Sequence, residues 1–287
     1  ASDVYKRQDI TKAKQSELIL KKKNEEMQIL TQELQKTNEE LENQKNLIQE
    51  ERQKTDQLLE NILPHHIASQ LKTIGFARPR NYKLSTIMFT DFKGFTASCS
   101  NLSPDEIVDA LHRYFTVFDE IVVDHFIEKI KTIGDAYMCV GGIPLRNRSN
   151  PFDVVIAGLK IQHFMNNLDQ FDPKNELPRW NIRMGIHTGP IVAGVVGKIK
   201  FAYDIWGDSV NIASRIETAC EVGMVNISES TYEHIKEYFD CEYRGKIEMK
   251  NRGKMGMYYV KGIKSEFSAD ETNTIPNDVF KKFLHSM

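Results

Sequence analysis

Between Leu18 and Ile62 an apolar side chain returns every seventh residue: Leu20, Met27, Leu34, Leu41, Ile48 and Ile62, with Thr55 in the same register. The surrounding positions are Glu, Gln, Lys and Asn, and the stretch holds neither Gly nor Pro. A seven-residue period in such a background predicts one long helix, with these residues at the a positions of a coiled coil. The matching d positions are mixed: Leu30 and Leu58 suit a seam, whereas Lys23, Thr37, Gln44 and Glu51 do not. A parallel two-stranded coiled coil with marginal pairing is the expected form. A plain dimerising stalk and a single solvated helix are the other readings. Pro64 interrupts the period, and "HHIASQLKTIG" reads as a short helix ending at Gly75.

From Tyr82 the pattern changes. "KLSTIMFTDF" is a β-rich run that predicts a buried strand. "SPDEIVDALHRYFTVFDEIVVDHF" predicts a helix with a capping box, Ser103 at the N-cap, Pro104 at N1 and Glu106 at N3. "EKIKTIGDAYMCV" predicts two short strands around a turn at Gly134. "PFDVVIAGLKIQHFMNNLDQF" reads as a second, amphipathic helix, and "WNIRMGIHTG" as another strand. The order β-α-β-β-α-β predicts an α+β fold with a ferredoxin-like core. A C-terminal β/α extension follows, with a helix over "DSVNIASRIETAC". The expected organisation is a coiled-coil signalling helix over 1–62, a linker or transducer helix and hinge over 63–81, a catalytic domain over 82–262, and a polar, loosely attached tail over 263–287.

Composition narrows the class. The 287 residues are 40% hydrophobic and 27% charged, with a net charge of −2, which describes a water-soluble globular chain and gives no basic field for nucleic acid. Cys99, Cys139, Cys220 and Cys241 show no CxxC spacing and fit buried free thiols in a reducing compartment. No run is apolar and long enough to span a bilayer, and no signal peptide is visible, so a cytoplasmic location is expected. The parent protein can still be membrane-anchored, with this part on the cytoplasmic side.

Three groups of residues invite chemistry. In a β-α-β-β-α-β sheet the first and third strands are antiparallel neighbours, so Asp91 at the end of the first lies beside Asp135 at the start of the third. Two carboxylates there repel unless a cation joins them, and hard oxygen ligands with open positions suit Mg²⁺ or Mn²⁺. Ordinary turn chemistry is the competing reading. In "DFKGFT", Gly94 allows a backbone that points N–H groups at an anion. Asn211 and Arg215, four apart, share one helix face near Asp204 and the Trp206-Gly207 turn. His187 in "GIHTGP" is tempting as a base, but a strand histidine among small residues is more often structural.

Together, "FTDFKGFT", "KTIGDAYM", "YDIWGDSVNIASRIE" and "KNRGKMGMYYVKG", in this order, resemble the class III adenylyl and guanylyl cyclases. The resemblance covers about Tyr82 to Gly262, and "LLENILPHHIASQLK" resembles the helical segment that links sensors to such domains. It implies two Mg²⁺ or Mn²⁺ ions per site held by Asp91 and Asp135 with the Phe92 carbonyl. It also implies a triphosphate cradled by Gly94, Phe95 and Thr96, and a purine read by Lys131 and Asp204. Asn211 would orient the ribose and Arg215 would stabilise charge on the α-phosphate. Arg252 stands where many relatives have a Lys touching the triphosphate, a change that keeps charge but alters geometry.

Lys131 only donates and Asp204 only accepts, which complements adenine N1 and N6 and mismatches guanine at both atoms. The expected activity is therefore an adenylyl cyclase, a phosphorus–oxygen lyase making cyclic AMP and pyrophosphate from ATP. In this family the site forms between two domains. A chain holding both halves implies a head-to-tail homodimer with two equivalent sites. Its coiled coil would answer to an upstream sensor. The competing readings are a guanylyl cyclase, a silent nucleotide-binding regulatory domain, and a scaffold with an incidental head.

Overall fold

The computed structural model describes residues 2–60, 62–174, 176–197, 199–249 and 253–287. Arg252 lies outside the described residues. The chain divides into two units, residues 1–68 and 69–287. In the first, helix α1 (Ser2–Glu60) is continuous, as the absence of Gly and Pro requires. Leu20, Met27, Leu34, Leu41 and Ile48 stand 58% to 65% exposed along it, the stripe that a coiled-coil partner would cover. Helix α2 (His65–Ile74) ends at Gly75, whose φ of 76° and N–H bond to the Leu71 carbonyl at 3.0 Å form a left-handed cap.

The second unit, which takes in the end of α2, continues with strand β1 (Arg80–Phe92), the four-residue helix α3 (Phe95–Ser98) and helix α4 (Pro104–Asp124). The capping box is present at Ser103 and Glu106. Strands β2 (Ile127–Ile133) and β3 (Ala136–Gly141) meet at Gly134, which has a φ of 63°. Helix α5 (Asn150–Asn166), the short α6 (Leu168–Phe171) and strand β4 (Ile182–Val196) complete the β-α-β-β-α-β core. Strand β5 (Ala202–Trp206), helix α7 (Asp208–Thr218), strand β6 (Val225–Ser228), helix α8 (Glu229–Ile235), strands β7 (Phe239–Met249) and β8 (Gly253–Ile263), and helix α9 (Asp278–His285) follow. The sheet runs β2-β3-β1-β4-β6-β8-β7, with β5 paired to β4. No helix among the described residues is long and apolar enough to cross a membrane.

Two expectations change together. Helix α5 is not amphipathic: every residue from Asn150 to Leu159 is buried. The segment over 263–287 is not a loose polar tail. Its helix α9 buries Phe280 completely and brings Phe280 and Phe283 onto Phe152 of α5, at ring distances of 6.0 and 5.6 Å. Tyr238 stacks on both rings at 4.7 and 4.5 Å. With Phe280 and Phe283 packed on Phe152, α5 is left without a solvent face over Asn150 to Leu159, whereas α9 stays amphipathic, with Asp278, Val279, Lys281, Lys282 and His285 exposed. At the other end of this core, Phe92, Tyr114 and Trp180 pack ring to ring within 5.5 Å and anchor the end of β1.

Candidate active site

The paired strands bring the two carboxylates together. Strands β1 and β3 are antiparallel, with Thr90 opposite Tyr137, so Asp91 at the end of β1 faces the Gly134-Asp135 turn. Burial lifts the Asp135 carboxyl above the usual carboxylate range. The Asp91 charge adds to this, and the backbone amides of Asp135 and Phe92 oppose it. Such a pair is held together by a cation. On Asp91 that cation is an arginine the motifs do not point to. Arg183 on β4 stands opposite Asp91 in the β1–β4 register, and its Nη2 donates to Asp91 Oδ2 at 2.5 Å. The same Nη2 lies 3.1 Å from Glu217 Oε1 on α7. Burial pushes the Glu217 carboxyl up to about 7; Arg183 works against that rise, and the charges of Asp91 and Asp135 add to it. One guanidinium thus serves two acidic groups, Asp91 and Glu217.

Glycines on β4 bring α7 this close. A Cβ on Gly185 would stand 2.0 Å from the Glu217 backbone nitrogen, and one on Gly189 would stand 2.4 Å from Ser209 Oγ. Helix α7 therefore lies directly on the backbone of β4. Ile212, Ala213, Ile216 and Glu217 are buried beneath it, whereas Asn211 is exposed and Arg215 half-buried. At about 100° per residue, Glu217 lies about 200° round the helix from Arg215. The face that meets Asp91 through Arg183 is thus opposite the face carrying Asn211 and Arg215.

A second grouping joins β2 and β5. Lys131 Nζ lies 2.5 Å from Asp204 Oδ2, and the other Asp204 oxygen accepts from the Ile205 amide at 2.9 Å, which fixes the carboxylate. The phosphate-loop candidates follow β1. Gly94 has a φ of 70° and open space where a Cβ would project, and Phe95 and Thr96 begin α3. The N–H groups of a first helical turn have no acceptor within the helix, so they are free for an anion. His187 is buried at 6% exposure with Nδ1 2.8 Å from Ser228 Oγ, within a hydroxyl network through Thr231 and Thr188, as befits a structural histidine.

Three residues before Lys131, Glu128 is buried enough that its carboxyl is pushed up to about 7. An acid with a raised folded-state pKa contributes stability at low pH, and that contribution fades as pH rises from its unfolded value through 7. Above that range the fold carries a desolvated carboxylate. Glu128→Gln is expected to stabilise the domain by about 2 kcal/mol at pH 8, after discount for partial solvation, and to gain little near pH 5. Denaturant melts at both pH values check this.

Comparison with known proteins identifies the family. Residues 78–262 match the adenylate and guanylate cyclase catalytic domain, and residues 9–71 match the heme NO binding associated family. An adenylate cyclase from Mycobacterium bovis is 37% identical over 224 residues, covering 76% of this chain and 48% of the relative. The receptor-type guanylate cyclase gcy-8 of Caenorhabditis elegans is 38% identical over 223 residues, covering 76% of this chain and 19% of the relative. The chain therefore spans about half, or less, of these relatives' lengths. The guanylate cyclase domain of RhGC from Catenaria anguillulae, solved in complex with GTP, superposes with a TM-score of 0.61 at 32% identity, over 64% of this chain and all of that one. On motifs, fold and relatives alike, the chain belongs to the class III nucleotidyl cyclases, the adenylate and guanylate cyclase catalytic domain family.

Proposed function

We propose that this chain converts ATP to 3′,5′-cyclic AMP and pyrophosphate at two equivalent sites between two copies of itself. The observation that carries the dimeric part is the orientation of α7. One face reaches toward the chain's own Asp91 through Glu217 and Arg183, and the opposite face presents Asn211 and Arg215 outward. A head-to-tail pair lets each chain give Asp91 and Asp135 to one site and Asn211 and Arg215 to the other. The exposed stripe of α1 would hold the pair at high effective concentration and pass on a signal from an upstream sensor.

Asp91 and Asp135, with the Phe92 carbonyl, would hold Mg²⁺ or Mn²⁺. The donor set fits. Two adjoining carboxylates raise each other's cost of ionisation, and one of them, Asp91, already takes a cation, Arg183. A low count of hard oxygen ligands, completed by substrate phosphates, is the usual Mg²⁺ arrangement. When bound, two such ions would supply acidity to the ribose 3′-hydroxyl and relieve charge on the leaving pyrophosphate. The remaining work falls to side chains. Gly94, Phe95 and Thr96 would receive the triphosphate on backbone N–H groups, with Arg252 contributing charge. Asn211 would orient the ribose so that O3′ lines up with the α-phosphorus. Arg215 would stabilise the charge that grows on the α-phosphate as the O3′–P bond forms and the bond to pyrophosphate breaks. No protein nucleophile is required.

The choice of ATP over GTP rests on the Lys131–Asp204 pair. A fixed acceptor beside a fixed donor complements the adenine N6 amino group and N1. Guanine offers an acceptor and a donor at the same places and leaves both partners opposed. Initial rates of cyclic product from ATP and from GTP with Mn²⁺ test this, in wild type and in Lys131→Glu combined with Asp204→Cys. The wild type is expected to favour ATP and the double variant to lose that preference by about 100-fold or more. Retained ATP preference in the double variant would refute the donor–acceptor reading, and a wild type that favours GTP would assign guanylyl cyclase activity.

A further inference from the structure

Arg183 has more hydrogen-bonding capacity than its present position uses. Its Nη2 donates to Asp91 Oδ2, and its Nη1 reaches the Thr218 carbonyl at 3.4 Å. Its Nε is buried without a hydrogen-bond partner, and so is Oε1 of Glu217. Glu217 approaches the guanidinium only as an ion pair at 3.1 Å, while its other oxygen accepts from Thr218 Oγ1 at 3.2 Å. A buried donor and a buried acceptor, side by side and unbonded, are a costly arrangement with an obvious relief. A guanidinium that leaves Asp91 and turns its Nε edge to Glu217 forms a two-point bond with that carboxylate. In the state described, Asp91 holds the guanidinium away from that bond.

We propose that Arg183 is a two-position cation. It occupies Asp91 when no metal is bound, and it moves to Glu217 when a divalent cation takes Asp91, with Glu217 as the positioning residue for the second place. The proposal rests on the metal role assigned to Asp91 and Asp135 above. A guanidinium on Asp91 Oδ2 takes one of the two carboxylate oxygens and repels a divalent cation at the other, so loading favours the exchange. Glu217 makes it inexpensive, because Arg183 passes from the half-buried Asp91 carboxylate to the buried Glu217 carboxylate without leaving its charge unpaired. The exchange also connects metal loading to α7, since Glu217 and Thr218 lie on the helix whose opposite face carries Asn211 and Arg215.

The test measures cation binding without nucleotide. Mn²⁺ is titrated into wild-type protein, Arg183→Gln and Glu217→Gln, and free Mn²⁺ is followed by electron paramagnetic resonance. Removing the competing guanidinium is expected to tighten Mn²⁺ about tenfold, and removing its second place to weaken Mn²⁺ several-fold. Mn²⁺ affinity in Arg183→Gln no greater than wild type would overturn the proposal. A second measurement separates exchange from simple charge effects and does not need the Arg183 variant to fold well. The Arg183 Nε–H resonance in ¹⁵N-arginine protein is followed during titration with Mg²⁺. It is expected to move to the position of a carboxylate-bonded Nε–H in wild type and to stay put in Glu217→Gln. A resonance unmoved by saturating Mg²⁺ in wild type, or moved equally in Glu217→Gln, also overturns it. Cyclic-nucleotide formation is assayed separately, so loss of the cyclase reading is recognised independently of these arms.

Discussion

Asp135→Asn is expected to lower cyclic-nucleotide formation by about a thousandfold or more while leaving the fold intact or more stable. Asparagine keeps the size of the side chain and removes its charge. In the folded protein that charge is disfavoured, because burial and the neighbouring Asp91 both hold the Asp135 carboxyl above its ordinary range. An acid of this kind weakens the metal-free fold at neutral pH, where it must ionise against its surroundings. Loss of activity with an unchanged or raised melting temperature in metal-free buffer therefore marks a group kept for ligand binding. A fall in both would mark a structural turn residue, the competing reading of the Gly134-Asp135 corner.

Arg215→Ala is expected to reduce kcat about 100- to 1000-fold with little change in KM. The pattern follows from where charge appears. In bound ATP the α-phosphate has spare charge only modestly, whereas during attack by O3′ it gains oxygen contacts and negative charge, and a cation aimed there acts chiefly in the transition state. The side chain is half-buried on the outward face of α7, above buried Ile212 and Ile216, so truncation removes little packing. A rise in KM at constant kcat would instead place Arg215 in ground-state binding.

Much of this site is legible in the sequence because its parts are local or fixed by topology. The order of elements alone makes the first and third strands neighbours, and that places Asp91 beside Asp135 before any distance is known. Lys131 and Asp204 are identified from the family's motifs, and their 2.5 Å contact shows the two strands that bring them together. Arg183 and Glu217 are not legible in the same way. An arginine in "WNIRMGIHTG" looks like any polar residue on a strand, and its meaning comes only from the register that sets it opposite Asp91. Glu217 in "SRIETAC" looks like a solvated helix position. It is buried because Gly185 lets α7 touch the sheet, a close approach that glycine permits but does not announce. The C-terminal segment failed as a sequence reading for a related reason. Few apolar residues dock a mostly polar stretch: Phe280 and Phe283 on Phe152 of α5, and Phe267 on Tyr238, targets far along the chain that a local pattern cannot supply.

In the proposed dimer each site takes its acids from one chain and Asn211 and Arg215 from another. Mixing the two inactive variants, Asp135→Asn and Arg215→Ala, tests it most directly. After exchange of subunits, about half the dimers are mixed, and each mixed dimer contains one site built from an intact Asp135 and an intact Arg215. Cyclic product should return to about a quarter of the wild-type rate. No recovery in a mixture shown to contain mixed dimers would contradict the claim, because it would place both residues of every working site in the same chain.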